Sequence, residues 1–155
     1  MAKKLALIAS KGSLDWAYPP FILASTAAAL DYKVSIFFTF YGLTLLKKDI
    51  SDLKVSPIGN PAMPMPMPMP NLAQMLPGME SMATMMMKKK IETKGVASIE
   101  ELRGACLESG VKLIACQMTV DLFDFKPTDF IDGIEFGGAA TFFEFAGESD
   151  VNLFI

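Results

Sequence analysis

The run Val111-Lys112-Leu113-Ile114-Ala115-Cys116 stops at Gln117-Met118-Thr119-Val120-Asp121, and that junction constrains the fold more than any other stretch of the chain. A short apolar run giving way to polar, helix-starting residues predicts a buried parallel strand, its turn and a following helix. The same pattern recurs along the sequence. Residues 5–10 and 33–40 read as strands, the second β-branched and aromatic. Between them, 14–31 reads as an Ala/Leu-rich helix with Pro19 and Pro20 in its early part, and Tyr41-Gly42 opens a short helical stretch to 48. Residues 98–109 carry the capping box Ser98 to Glu101, with Gly110 as the stop. After the 111–116 strand come a short helix at 119–125, a turn at Lys126-Pro127, a strand at 133–136, a helix at 139–146 and a last strand at 151–155. Strands separated by helices predict an α/β fold, a three-layer α/β/α sandwich around a mostly parallel sheet of five to six strands.

Residues 49–95 break the pattern. At their centre, Asn60 to Pro70 alternates Met with Pro, which suits neither a helix nor a sheet interior. Proline fixes each φ, so the segment reads as a stiff, extended strap presenting methionine side chains. A Met-rich helical stretch follows at 71–90, interrupted near Pro77-Gly78. Soft thioethers suit Cu(I), but proline at every second residue keeps several sulfurs from converging on one ion, so no metal is expected. The chain reads as one domain, 1–155, with 49–95 as a long Met/Pro-rich insertion packed on its own domain or on a neighbouring subunit.

Composition narrows the function. At 155 residues and 52% hydrophobic, the chain is long enough for a full core. A net charge of −3 argues against nucleic acid, whose partners carry a basic stripe; Lys88-Lys89-Lys90 reads as a solvated helix end. The N-terminal Met1 to Ala9 has a signal-like start but reads as the first strand. The longest uncharged apolar stretch, 34–46, falls short of the ~20 residues a spanning helix needs. A cytoplasmic chain with no stable membrane anchor is expected, and two cysteines fit a reducing compartment. There is no histidine, which removes the Ser-His-Asp and Cys-His arrangements and most zinc sites. A nucleophile must then be activated by backbone dipoles, a lysine or the single arginine, Arg103.

Cys116 is the expected nucleophile, because a thiol at the carboxyl end of a parallel strand and beside a helix start sits where open α/β sheets bind ligands and where a thiolate is stabilised. The other strand ends supply a cradle for an anionic sulfur group: Ser10, Lys11, Gly12 and Ser13; Thr39, Tyr41 and Gly42; Gly137 and Gly138. Gln117, Met118 and Thr119 follow the thiol directly, Thr119 as the expected cap of the next helix, and Lys11 as a cation that could lower the thiol pKa. Cys106, at helical spacing with Ile99, Leu102 and Ala105, reads as a core thiol. A bridge between the two is not expected: measured from the turn at Gly110, Cys106 lies about 6 Å back along a helix and Cys116 about 20 Å along a strand, a gap of roughly 14 Å. The motifs of peroxiredoxins, rhodaneses, thioredoxins, P-loops and dinucleotide folds are missing, and no cofactor is expected. A lone thiol without a resolving partner suits a covalent carrier that takes up sulfur and hands it on. Two other readings stay open: an oligomeric scaffold in which Cys116 is inert, and a small-anion or nucleotide binder using the turn at 10–13.

Four stretches together resemble the DsrE/DsrF-like superfamily and, within it, the soluble DsrE-like sulfurtransferase branch often labelled peroxiredoxin-family. They are Ser10 to Pro20, Phe37 to Gly42, the 59–71 strap, and Ala115-Cys116-Gln117-Met118. The resemblance implies a parallel α/β/α sandwich forming homo-oligomers. It also implies persulfide or thiosulfonate sulfur on Cys116 and a small TusA-like carrier as partner in cytoplasmic sulfur metabolism.

Overall fold

The computed structural model describes residues 1–56 and 76–155. Its strands are β1 (Lys4–Ala9), β2 (Lys33–Phe38), β3 (Lys112–Cys116), β4 (Glu135–Gly137) and β5 (Val151–Phe154). The helices are α1 (Leu14–Ala29), α2 (Met79–Thr93), α3 (Ile99–Glu108), α4 (Gln117–Leu122) and α5 (Ala139–Ala146), with a 3₁₀ helix over Phe40–Leu46. The five strands form one sheet in the order β4-β3-β2-β1-β5, every neighbouring pair parallel.

Period-two alternation assigns each strand's side chains to one of two layers. Leu5, Leu7 and Ala9, Val34, Ile36 and Phe38, and Leu113 and Ala115 share the main core cluster. Over it lie α1, through Leu14, Ala17, Phe21 and Ala24, and α3, through Ile99 and Cys106. Phe21 and Phe38 meet there with ring centroids 5.8 Å apart, and truncating either to Ala would cost about 3–5 kcal/mol. The intervening residues Ala6, Phe37, Ile114 and Cys116 form a smaller cluster with Phe142 and Ala146 of α5. One sheet face is thus covered by two helices of 16 and 10 residues, the other by a single helix of 8.

Element boundaries differ from expectation by a few residues, and two of the shifts have backbone reasons. β2 ends at Phe38, two residues early, because Phe40 takes φ +49°, which no strand tolerates. β4 starts at Glu135, because Gly133 at φ +83° is a turn residue. The helix after Cys116 begins at once, at Gln117 instead of 119. The capping box is present: Ser98 Oγ accepts the Glu101 N–H at 3.1 Å, and a Glu101 carboxylate oxygen accepts the Ser98 N–H at 2.7 Å.

Arg103, not Ala105, completes the buried stripe of α3. Its Nη1 donates to the carbonyls of Leu45 and Lys47 at 2.8 Å each, tying α3 to the end of the 3₁₀ helix. These bonds offset a burial that pulls the guanidinium pKa down. The described flanks of the insertion pack on the core through Ile50, Leu53 and Val55, and Thr84 of α2 accepts the Val55 N–H at 3.0 Å. The expected Met-Pro strap lies outside the described residues.

Candidate functional site

Parallel strands bring their carboxyl ends to one edge, so Ser10 and Thr39, directly after β1 and β2, lie beside Cys116 and Gly137, the last residues of β3 and β4. Cys116 is the last residue of β3, pairs in register with Gly137, and stands at the N-cap position of α4. Only 5% of it is exposed. Burial pushes the thiol up, yet hydrogen bonding outweighs it: the Thr119 hydroxyl and N–H, the Thr39 hydroxyl and the Met118 N–H together hold it below the ordinary thiol range. The two N–H groups face the sulfur without closing a full side-chain cap. They act as the dipoles of a helix start, which favour negative charge.

Two sequence expectations are corrected here. Thr119 does not cap α4; Cys116 takes that position, and Thr119 lies one turn in, fully buried, with Oγ1 accepting the Phe40 N–H at 3.2 Å and lying 3.3 Å from Thr39 Oγ1. Lys11 does not lower the thiol pKa, since no cation is among the causes of its shift. The Lys11 ammonium sits 3.4 Å from the centre of the Trp16 ring.

Cys106 occupies the opposite environment. Wholly buried, its Sγ donates to the Phe21 carbonyl at 3.6 Å, and burial pushes its thiol up to about 11. Both cysteines are free thiols.

The remaining expected residues fall into two groups. Beside Cys116 stand Thr39, Gln117, Met118, Thr119, Gly137 and Gly138. Gln117 Nε2 donates to Asp121 at 2.8 Å, and Met118 is 60% exposed. Gly137 lies so close to Thr141 that a Cβ would come within 2.8 Å of its hydroxyl oxygen, and Gly138 begins α5 with no side chain capping it. Lys11, Gly12, Ser13 and Tyr41 instead line a separate cleft of about 750 Å³ that also contains Trp16 and Lys54. Ser13 Oγ is 3.0 Å from Ser56 Oγ, and Gly42 packs directly on the Ala9 carbonyl. Ser10 is turned away, its hydroxyl donating to the Ile155 carbonyl at 3.0 Å.

Apolar side chains that sequence reasoning did not single out lie exposed along the carboxyl edge of the sheet. Phe40, Leu122 and Phe136 are exposed, as are Met118 and Tyr41. Phe123 joins them, stacked on Tyr41 at 6.0 Å and edge-on to Phe40 at 6.3 Å. In sequence an exposed aromatic at a strand end has no signal separating it from a core one. Among the described residues no three His, Cys, Asp or Glu side chains converge as metal ligands, and no helix is long and apolar enough to cross a membrane.

Comparison with known proteins shows the family and the fold. The family model of the DsrE/DsrF/DrsH-like family matches residues 1–154. The chain is 68% identical over 157 aligned positions to the sulfur carrier protein DsrE2 of Allochromatium vinosum, covering 99% of this chain and 98% of that one. It is 31% identical to the uncharacterized protein YrkE of Bacillus subtilis, covering 99% and 97%. Among solved structures, the ychN protein of E. coli superposes with a TM-score of 0.56 at 11% identity over 99% of both chains, a likeness of fold.

Proposed function

The chain belongs to the DsrE/DsrF/DrsH-like family and is a sulfur carrier, and we propose that Cys116 is the residue that carries the sulfur. The observation that supports this most is the contrast between the two thiols. Cys116 sits at the carboxyl edge of the sheet among hydrogen-bond donors that favour its thiolate, while Cys106 is sealed in the core with its proton held.

In loading, the Cys116 thiolate attacks the outer sulfur of a donor persulfide. The new S–S bond forms as the donor's own S–S bond breaks, and the donor leaves as a thiolate. With tetrathionate the attack falls on an inner sulfur, thiosulfate departs, and the cysteine holds a thiosulfonate group. In unloading, a partner thiolate attacks the sulfur bonded to Cys116 Sγ, forming a new S–S bond as the Sγ–S bond breaks and Cys116 leaves as thiolate. No external oxidant or reductant enters. A thiol of lowered pKa is also the better leaving group, so the same hydrogen bonds serve both directions. Gly138 and the uncapped first turn of α5 face an anionic cargo, Gly138 leaving open space beside its backbone, while Gly137 lets Thr141 pack against the end of β4. Gln117 and Met118 border the approach, and Tyr41, in the neighbouring cleft, stacks on Phe123. Ser10, Lys11, Gly12, Ser13 and Gly42 act at a distance, by shaping the edge on which Thr39 and the 3₁₀ helix rest.

A carrier needs a partner, and we assign that role to a small TusA-like protein docking on the apolar rim of Phe40, Tyr41, Met118, Leu122 and Phe136. The exposed side chains there are of the kinds enriched at protein interfaces. The chain works as a homo-oligomer in the cytoplasm, where its two thiols stay reduced. Residues 1–155 act as one domain with 49–95 as its insertion, whose described flanks share the main core.

Intact-protein mass spectrometry after polysulfide or tetrathionate treatment tests the assignment. A reducible adduct is expected on the wild type and on Cys106→Ser, and none on Cys116→Ser. An adduct that survives in Cys116→Ser would remove the cysteine from its role.

A further inference from the structure

Residues 117–135 follow the thiol along the carboxyl edge of the sheet, and they carry five carboxylates against Lys126 alone. Their backbone is tied closely to Cys116. α4 starts directly after it, and β4, at the end of the stretch, pairs Gly137 with it in register. The apolar side chains Met118, Leu122 and Phe136 are 60%, 58% and 39% exposed. Phe136 is held edge-on to the buried Phe130 at 5.8 Å, and the Asp124 N–H closes the end of α4 on the Asp121 carbonyl at 3.2 Å. Charge and apolar surface therefore come together beside the sulfur on well-tied backbone.

The other lysines near this edge are occupied. Lys112 pairs with Glu135 at 3.4 Å, Lys47 lies over the Phe125 ring at 4.0 Å, and Lys11 lies over Trp16 at 3.4 Å. Among the described residues, Asp121, Asp124 and Asp132 form no ion pair. Asp121 accepts an N–H from Gln117, which leaves its charge in place. Unloading brings two further anions to this surface. The cargo on Cys116, persulfide or thiosulfonate, is negative, and the acceptor attacks the sulfur bonded to Sγ as a thiolate. Like charges meeting over an acidic surface repel each other. Against that, the stretch supplies backbone N–H groups and the single Lys126.

We propose that the acceptor brings the balancing charge: it is a protein whose cysteine is flanked by lysine or arginine, seating its basic surface against Asp121, Asp124 and Asp132 and an apolar residue on Met118, Leu122 and Phe136. The inference rests on the reading of Cys116 as the carrier and adds the partner's chemistry to it. Opposite charges across the contact speed the encounter and fix its register, and cations beside the incoming thiolate offset the repulsion at the reacting sulfur. An acidic thiol protein is rejected by the same carboxylates.

The probes are two short synthetic peptides with one cysteine each, flanked by arginines in one and by glutamates in the other. Polysulfide-loaded protein is mixed with each peptide at low and at high salt, and the ratio of the two transfer rates is read. Flanking charge also alters the peptide's own thiol, but that effect is common to every variant and cancels when ratios are compared. Asp124→Asn/Asp132→Asn is expected to lower the arginine-to-glutamate ratio about fivefold at low salt, with the difference shrinking at high salt. Asp31→Asn/Glu108→Gln removes the same charge from the opposite edge of the sheet, just before β2 and β3, and should leave the ratio within about 1.5-fold of wild type. A ratio that Asp124→Asn/Asp132→Asn leaves unmoved overturns the proposal. So does an equal fall in Asp31→Asn/Glu108→Gln, since overall charge would then account for the preference. Should the pair fail to fold, Asp124→Asn alone decides, because asparagine tolerates the left-handed backbone at that position, φ +54°. A wild type that takes up no sulfur from polysulfide overturns the carrier reading and this inference with it. One that loads on Cys116 and transfers without regard to the peptide's charge overturns this inference alone.

Discussion

The two cysteines show how far one residue type is governed by its surroundings. Burial acts on both, and only Cys116 has donors to answer it. The consequences for stability have opposite signs. The Cys116 thiol loses its proton more readily folded than unfolded, so it contributes stability above its unfolded pKa that is lost as pH falls through the folded one. Cys106 goes the other way: between the ordinary thiol value of 9.0 and about 11, an unfolded chain ionises while the folded chain keeps its proton. Folding stability should therefore fall as pH rises through that interval, by about 3 kcal/mol in all. Urea unfolding of wild type and Cys106→Ser across that range checks this. The wild-type curve should lose stability relative to the variant as pH rises; a constant difference would refute the assignment. This distinction was half legible in sequence. The strand end at Cys116 and the helical register of Cys106 can be read from spacing, but the Thr39 and Thr119 hydroxyls meet only because β2 and β3 are neighbours. Lys11 shows the converse, a cation near in sequence logic that the structure turns onto Trp16.

At the scale of elements, the junction of β3 and α4 joins chemistry to recognition. The strand delivers the sulfur to the edge, the first turn of α4 supplies the N–H groups, and its outer face carries Met118 and Leu122 into solvent, Leu122 at 58% exposure. An exposed leucine contributes little to folding, so Leu122→Asp should change stability by less than about 0.5 kcal/mol. It should leave iodoacetamide alkylation of Cys116 unchanged and slow sulfur transfer to the carrier protein by about tenfold or more, as loss of an interface anchor does. Quenched transfer assays with loaded protein decide it; equal transfer rates would move the docking surface elsewhere. Elements of this kind were readable because each apolar run ends in a recognisable start signal. Two of the boundaries that shifted did so at Phe40 and Gly133, where a positive φ overrides strand-forming or neutral side chains. Arg103 went unassigned for another reason: its carbonyl partners belong to a segment 56 to 58 residues away.

For the whole molecule, the asymmetry of the two sheet faces carries the oligomer proposal. The α5 side has a small core and leaves Phe143 at 68%, Phe154 at 72% and Leu153 at 40% exposure, around a groove lined by Ile8, Phe142 and Ala146. β5 ends the sheet with every residue exposed, so an edge and an apolar face lie together. Single exposed hydrophobics are ordinary, but a contiguous apolar face beside a bare edge strand is a surface that proteins cover. In the proposed homo-oligomer a second copy would cover it symmetrically, with the same patch meeting itself across a two-fold axis. Phe143 is the side chain to remove, since it projects from the middle of α5 and contributes little within its own chain. Phe143→Glu should shift the wild-type oligomer toward monomer, weakening association by about a hundredfold, as loss of a buried interface aromatic does. Its effect on alkylation of Cys116 should be small. Sedimentation velocity across a concentration series reads the outcome. A wild type that is monomeric at every concentration, or an oligomer that Phe143→Glu leaves intact, would mean that this face is covered by something other than its own copy.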